Sequence, residues 1–260
     1  MILNSPSRIH SLLDPARFMR YGTGPGGTGA AVWSPLDLSP MVWLDATQLG
    51  LANNDPVSSF TDLSGNGRHF VQATGAKQPL FKTSGINGLA SVESDGSDDD
   101  MTLAAFGTQT AWWGFIVLRQ TAVDTAENTF WSISDYPSAA SYKMLEKASG
   151  LDGVASLAIN SNPSGSGINS VGFSANTNHA LYVSADASVM GLKDGAGNTG
   201  TTPAGNHSRA NDMMRIFGRG DGNRAPAMIG ELIFGAGALS AGDVTEIWTY
   251  LDGKWGTGIP

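Results

Sequence analysis

The side chains able to do chemistry in this chain are few, and their spacing limits what they can do. There are five glutamates (Glu93, Glu127, Glu146, Glu231 and Glu246), four histidines (His10, His69, His179 and His207) and no cysteine. Glycoside hydrolysis normally needs two carboxyl groups flanking the bond, about 5–5.5 Å apart for retention and about 6.5–9.5 Å for inversion. Alternate residues of a strand share a face, so carboxylates two positions apart can form such a pair. Glu93-Ser94-Asp95 begins that alternation, but Ser97 takes the third place and Gly96 signals a turn. The histidines are scattered and no Gly-x-Ser-x-Gly elbow is present, so neither a serine triad nor a histidine metal site is readable. Without cysteine there is no disulfide, thiolate zinc site or thiol nucleophile. A non-enzymatic protein is expected.

Two constellations remain. Asp95, Asp98, Asp99 and Asp100 form the densest acidic cluster. Calcium takes about six to eight oxygens from carboxylates and carbonyls. The loop carrying Asp62 and Asn66 could add to them if the two loops meet, which makes Asp62, Asn66, Asp95 and Asp98 candidate calcium ligands. EF-hand spacing is absent, and a solvated turn whose aspartates bond local amides accounts for the same residues. Trp112, Trp113 and Trp131 are candidate platforms for a sugar ring. Adjacent residues of a strand face opposite ways, however, so at least one of Trp112 and Trp113 should be core. The Gly-, Asn-, Ser- and Thr-rich stretches 160–169 and 193–211 could line a shallow sugar site, and generic turn chemistry explains them equally well.

These groups must be held by a β-rich scaffold. Of 260 residues, 34 are glycine and only 15% are charged, which suits tight turns and argues against long surface helices. Short apolar or alternating runs predict strands at 41–45, 58–62, 86–95, 101–103, 111–119, 128–134, 142–147, 154–160, 168–175, 179–186, 188–195, 213–220 and 231–234. The run AWWGFIVLR (111–119) is apolar on both faces and so should be central. One helix is expected near the end. Ser240 is its N-cap with Asp243 in the first turn; Val244, Ile247, Trp248 and Leu251 share a face; and Gly253 serves as C-cap. The pattern is an antiparallel sandwich of jelly-roll type, with the helix clamped on a sheet.

The first 36 residues differ. They hold Arg8, Arg17 and Arg20 against Asp14, a net of +2, whereas the remainder carries −10 of the total −8. A modest helical pattern (Ile9, Leu12, Leu13, Ala16) leads into a stretch from Gly22 to Ala30 in which five of nine residues are glycine. That composition is a flexible linker. Residues 1–36 are therefore read as an extended N-terminal arm and 37–260 as the folded domain. The arm either orders on a partner, with Arg8, Arg17 and Arg20 docking on an acidic neighbour, or is a solvated tail. The opening residues lack the long apolar core of a secretory signal, and no run approaches the ~20 apolar residues of a membrane span. The acidic body argues against nucleic-acid binding.

Four segments in this order resemble a known family: VWLDAT (42–47), FTDLSGNGRHFVQ (60–72), GINGLASVESDGSDDDMTL (85–103) and the closing GELIFGAGALSAGDVTEIWTYLDGKWG. They are similar to the laminin-G-like jelly-roll domains of the concanavalin A-like lectin and glucanase superfamily, of the kind found in phage structural and bacterial surface proteins. The resemblance covers about residues 41–256. Ser94 and Asp100 stand where aromatic residues are usual in the family, and its glucanases' Glu-x-Asp-x-Glu motif is missing. The resemblance implies a virion component, such as a capsid decoration or tail-associated protein, oligomeric on the particle and bound to other virion proteins through its arm. The alternatives are a carbohydrate-binding adhesin, also at home on a bacterial cell surface, and a polysaccharide hydrolase. No cofactor is expected beyond the calcium candidate.

Overall fold

Strand-forming runs separated by glycine, proline and asparagine build a two-layered β structure in the computed structural model. It describes residues 33–104, 107–122, 128–133, 143–147, 155–161, 171–186, 190–195, 199–201, 213–220 and 222–256. Contacts divide the chain into Met1–Ser34 and Pro35–Pro260. Arg8, Arg17, Arg20 and the helical pattern around them lie outside the described residues, as do most of stretches 160–169 and 193–211.

The strands are β1 (Val42–Asp45), β2 (Ser59–Phe60), β3 (Phe70–Val71), β4 (Leu80–Ile86), β5 (Leu89–Asp95), β6 (Met101–Leu103), β7 (Trp112–Gln120) and β8 (Asn128–Ile133). They continue with β9 (Lys143–Lys147), β10 (Ala155–Ser161), β11 (Val171–Phe173), β12 (His179–Ala185), β13 (Met190–Asp194), β14 (Thr199–Thr201), β15 (Met214–Ile216) and β16 (Pro226–Ala236), and the helix α1 (Ala241–Trp255) closes the chain. One eight-stranded sheet runs β14-β13-β12-β7-β16-β5-β4, with β1 also paired to β16; the other runs β11-β10-β9-β8-β15-β6-β3-β2. The described pairings are antiparallel. The fold is the expected all-β sandwich with a short C-terminal helix.

β7 is central, as its apolar faces require, with β12 on one side and β16 on the other. Leu44, Val92, Ile116, Leu118, Leu181 and Leu232 of the first sheet meet Phe70, Met101, Phe130, Trp131, Ile133 and Ile216 of the second in one buried core. The far face of the first sheet receives α1, whose Ile247, Trp248, Leu251 and Trp255 are buried. Trp248 stands edge-on to Phe115 at 5.1 Å between ring centres.

The helix starts as expected. Ser240 Oγ accepts from the Asp243 amide and Asp243 Oδ2 accepts from the Ser240 amide, a reciprocal capping box that satisfies two orphan donors. Its end differs: Gly253 lies inside the helix, and Gly256, at φ +56°, is the left-handed cap. The reason is Trp255, four residues past Leu251, whose burial extends the apolar face by a turn. Its ring lies against β16 at Gly230, where an added Cβ would come 2.5 Å from Cη2. At Gly235 a Cβ would come 2.2 Å from the Trp113 ring. These two glycines let large rings sit directly on the backbone of β16. They explain why a strand expected to cover only 231–234 tolerates glycine and runs for eleven residues.

Candidate functional site

A densely bonded polar group lies beneath α1. Glu231, on β16, is 1% exposed. Its Oε1 accepts from Trp43 Nε1 at 2.7 Å and from the Tyr250 hydroxyl at 2.8 Å. Its Oε2 accepts from Lys254 Nζ at 2.8 Å and Trp255 Nε1 at 2.7 Å. Lys254 also donates to Asp45 Oδ2 at 2.6 Å. Burial alone would lower the Lys254 ammonium, but the Glu231 and Asp45 carboxylates outweigh it and push it up. Tyr250 is raised, first by burial and then by the same two carboxylates. A carboxylate with four donors and no exposure offers nothing to a substrate; the group is a clasp tying β1, β16 and α1. In the sequence Glu231 falls in a strand run and Lys254 follows the expected helix cap at Gly253, and no local pattern links the two. The signal available was polar residues at core-facing spacing on both elements.

The second polar knot is the Ser64–Gly67 turn region. Asp62 is buried, and its Oδ1 accepts from the amides of Trp43 (3.0 Å) and Ser64 (2.9 Å). Its Oδ2 accepts from the Arg68 amide (2.9 Å) and Ser64 Oγ (2.8 Å). Burial alone would raise this carboxyl, but the bonds from Trp43, Arg68 and Ser64 hold it below the usual carboxylate range. Asn66 Nδ2 donates to the carbonyls of Pro40 (3.0 Å) and Met41 (3.2 Å).

The calcium candidates thus divide. Asp95, Asp98 and Asp99 converge, with one carboxylate oxygen from each within 4.8 Å of the others. Asp62 and Asn66 do not join them: they bond their own loop and the backbone of Pro40, Met41 and Trp43. Within the converging group, Asp99 Oδ2 accepts from the Asp95 amide at 3.0 Å and Asp95 Oδ1 from the Ser97 amide at 2.7 Å. Burial, and then the neighbouring aspartates, raise the Asp99 carboxyl. Asp100 turns away from the cluster. Its carboxylate accepts from Arg215 Nη1, from Arg224 Nη2 at 3.0 Å and from Gln72 Nε2 at 2.7 Å. Asp100, Arg215 and Arg224 thus form an ion cluster of low exposure. Ser94 is likewise buried.

The tryptophans are not a sugar platform. Trp112 is 0% exposed and Trp113 and Trp131 are each 2% exposed. Trp112 and Trp131 pack edge-on at 5.6 Å in the inter-sheet core, while Trp113 faces the helix side, beside Phe115. Both faces of this sheet are covered, one by the second sheet and one by α1, so opposite orientation does not expose either ring.

The outward face of the second sheet is different in character. Cross-strand register aligns Ser59, Val71, Thr102, Arg215 and Ser132 in one row, which continues to positions 144 and 160. Their chain neighbours Phe60, Phe70, Met101, Ile216, Trp131 and Ile133 point into the core, so Ser59, Val71, Thr102, Arg215 and Ser132 lie on the other face. Ser59 and Val71 are exposed, Thr102 is partly buried, the Arg215 side chain is 14% exposed and Ser132 is buried. Asp100 fixes the Arg215 guanidinium through Nη1, next in the row to the Thr102 hydroxyl and, one strand further, the exposed Val71. Donors of this kind on a rigid sheet can recognise hydroxyl and carboxylate oxygens.

No protein-family model matches the chain, and no curated protein sequence does. Solved structures do. Domain 4 of AbnA, a GH43 extracellular arabinanase from Geobacillus stearothermophilus solved in complex with arabinotriose, superposes with a TM-score of 0.52 at 13% identity, over 75% of this chain and 99% of that domain. The binding domain of Paraclostridial Mosquitocidal Protein 1 matches with a TM-score of 0.56 at 11% identity, over 84% of this chain and 53% of that one. The botulinum neurotoxin type G receptor binding domain matches at 0.54 and 11%, over 81% and 51%. The likeness is one of fold. The chain spans nearly all of the arabinanase domain and about half of each toxin domain.

Proposed function

We propose that this chain is a non-catalytic β-sandwich that binds carbohydrate through the outward face of its second sheet. In this reading the N-terminal arm attaches it to a larger assembly, a virion being the setting that the family resemblance implies. The observation that carries the binding role is the polar row Ser59–Thr102–Arg215, with the guanidinium braced by Asp100 and the exposed Val71 one strand beyond Thr102. The whole-domain match to an arabinanase module solved with arabinotriose supports it. Against a hydrolase stand the described glutamates whose bonds are known. Glu231 is enclosed by four donors, and Glu93 pairs with Lys82 at 2.9 Å.

A panel of immobilised glycans, arabino-oligosaccharides and acidic capsular sugars included, tests the binding role. Retention of the full chain on at least one class is expected, lost on Thr102→Lys with the melting temperature unchanged and with no reducing sugar released. Absence of retention across the panel rejects the reading. For the arm, deletion of residues 1–36 is expected to abolish incorporation into particles while leaving a folded domain. Normal incorporation of the truncated chain rejects attachment through the arm.

A further inference from the structure

The Asp62–Arg68 loop takes no part in the proposed binding face, yet its bonds converge on one place. β1 is only four residues long and is the first strand after the arm. One edge of it pairs with β16, from Val42 opposite Phe234 to Asp45 opposite Glu231, and the Met41 amide donates to the Phe234 carbonyl at 2.7 Å. The loop occupies the other edge. The Leu63 amide donates to the Trp43 carbonyl at 2.7 Å, the Trp43 amide to Asp62 Oδ1 at 3.0 Å, and Leu44 and Asp62 form an isolated bridge. Ahead of the strand, the Met41 carbonyl lies within 3.3 Å of Ser64 Oγ, Asn66 Nδ2 and Arg68 Nη1. The Pro40 carbonyl accepts from Asn66 Nδ2 as well. Backbone groups at the edge of a short strand would otherwise be left to water.

We infer that this loop is a latch that holds β1 in the sheet where a pull on the N-terminal arm would enter the sandwich. Its use rests on the reading that the arm is an attachment, but its physical action does not. Detaching β1 requires breaking the loop's bonds together with the four-residue ladder to β16. Asn66 is exposed, and among the described residues its side chain reaches Pro40, Met41 and its own Ser64. Its removal therefore loosens the latch without touching the core.

The chain has no cysteine, so one introduced thiol reports opening at one place. In the full chain, Val42→Cys puts that thiol on β1, and Leu181→Cys puts it on β12 as a control; both positions are fully buried. Adding Asn66→Ala is expected to raise native-state labelling of the first thiol about tenfold, equivalent to about 1.4 kcal/mol. The second should be labelled at its original rate. Amide hydrogen exchange across 42–45, which needs no new thiol, is expected to accelerate in the same variant. An equal rise at both thiols, or no rise at either with unchanged exchange, overturns the latch. The isolated chain is used throughout, so failure of glycan retention or of particle incorporation leaves this result readable.

Discussion

Replacing Lys254 with methionine is expected to cost about 3–5 kcal/mol, the usual penalty for stranding one member of a buried ion pair. For a domain of this size that lowers the melting temperature by roughly 10 °C. Lys254 Nζ reaches Glu231 at 2.8 Å and Asp45 at 2.6 Å, and neither carboxylate is more than 4% exposed. Without the ammonium, two acids face one another beneath the helix, and their remaining donors are neutral. The double variant Glu231→Gln/Lys254→Met should lose less than the single one, because only one of the two carboxylates, Asp45, is then left without the ammonium. Thermal unfolding of the three proteins decides. A neutral Lys254→Met would mean that the clasp contributes nothing to stability.

Trp112→Ala is the second large effect, at about 3–5 kcal/mol for emptying a fully buried indole site. The ring is enclosed by Trp131 at 5.6 Å and Phe234 at 5.9 Å between centres, so neither sheet can close over the gap without shifting. Glycan retention, measured below the lowered melting temperature, should survive. Loss of retention with unchanged melting would place the ring at a binding surface and refute its assignment to the core.

Strand positions were legible because each obeys a local rule. The run 111–119 is apolar on both faces and lies at the centre of its sheet. The strand expected over 86–95 begins instead at Leu89, because Asn87-Gly88, at φ +48° and +80°, is the turn that joins β4 to β5. The helix face was legible from its 3.6-residue period, but its end was not. Trp255 is fixed by contact with Gly230, a relation between two elements that no single window shows. The strand β4 was missed because its polar residues, Lys82, Thr83 and Ser84, blur the alternation expected of a half-buried strand. The clasp was hidden for the same reason as the helix end: Glu231 and Lys254 each fit a local role, and only their meeting makes them partners. Asp62 and Asn66 looked like ligands because carboxylate and amide oxygens are what calcium takes. The structure instead directs the carboxylate to backbone amides and the Asn66 amide group to backbone carbonyls.

The pairing of β1 with β16 has a consequence for how this polypeptide is made. Trp43 and Glu231, bonded to each other, are separated by 188 positions in sequence. β1 therefore has no sheet partner until β16, the last of the described strands, has been made. Sequence-distant closure of this kind makes folding slow, because loop entropy is lost before the contact rewards it. Until then the apolar face of β1, Val42 and Leu44 included, is a sticky surface on a nascent chain, and synthesis through β16 is a condition for its burial.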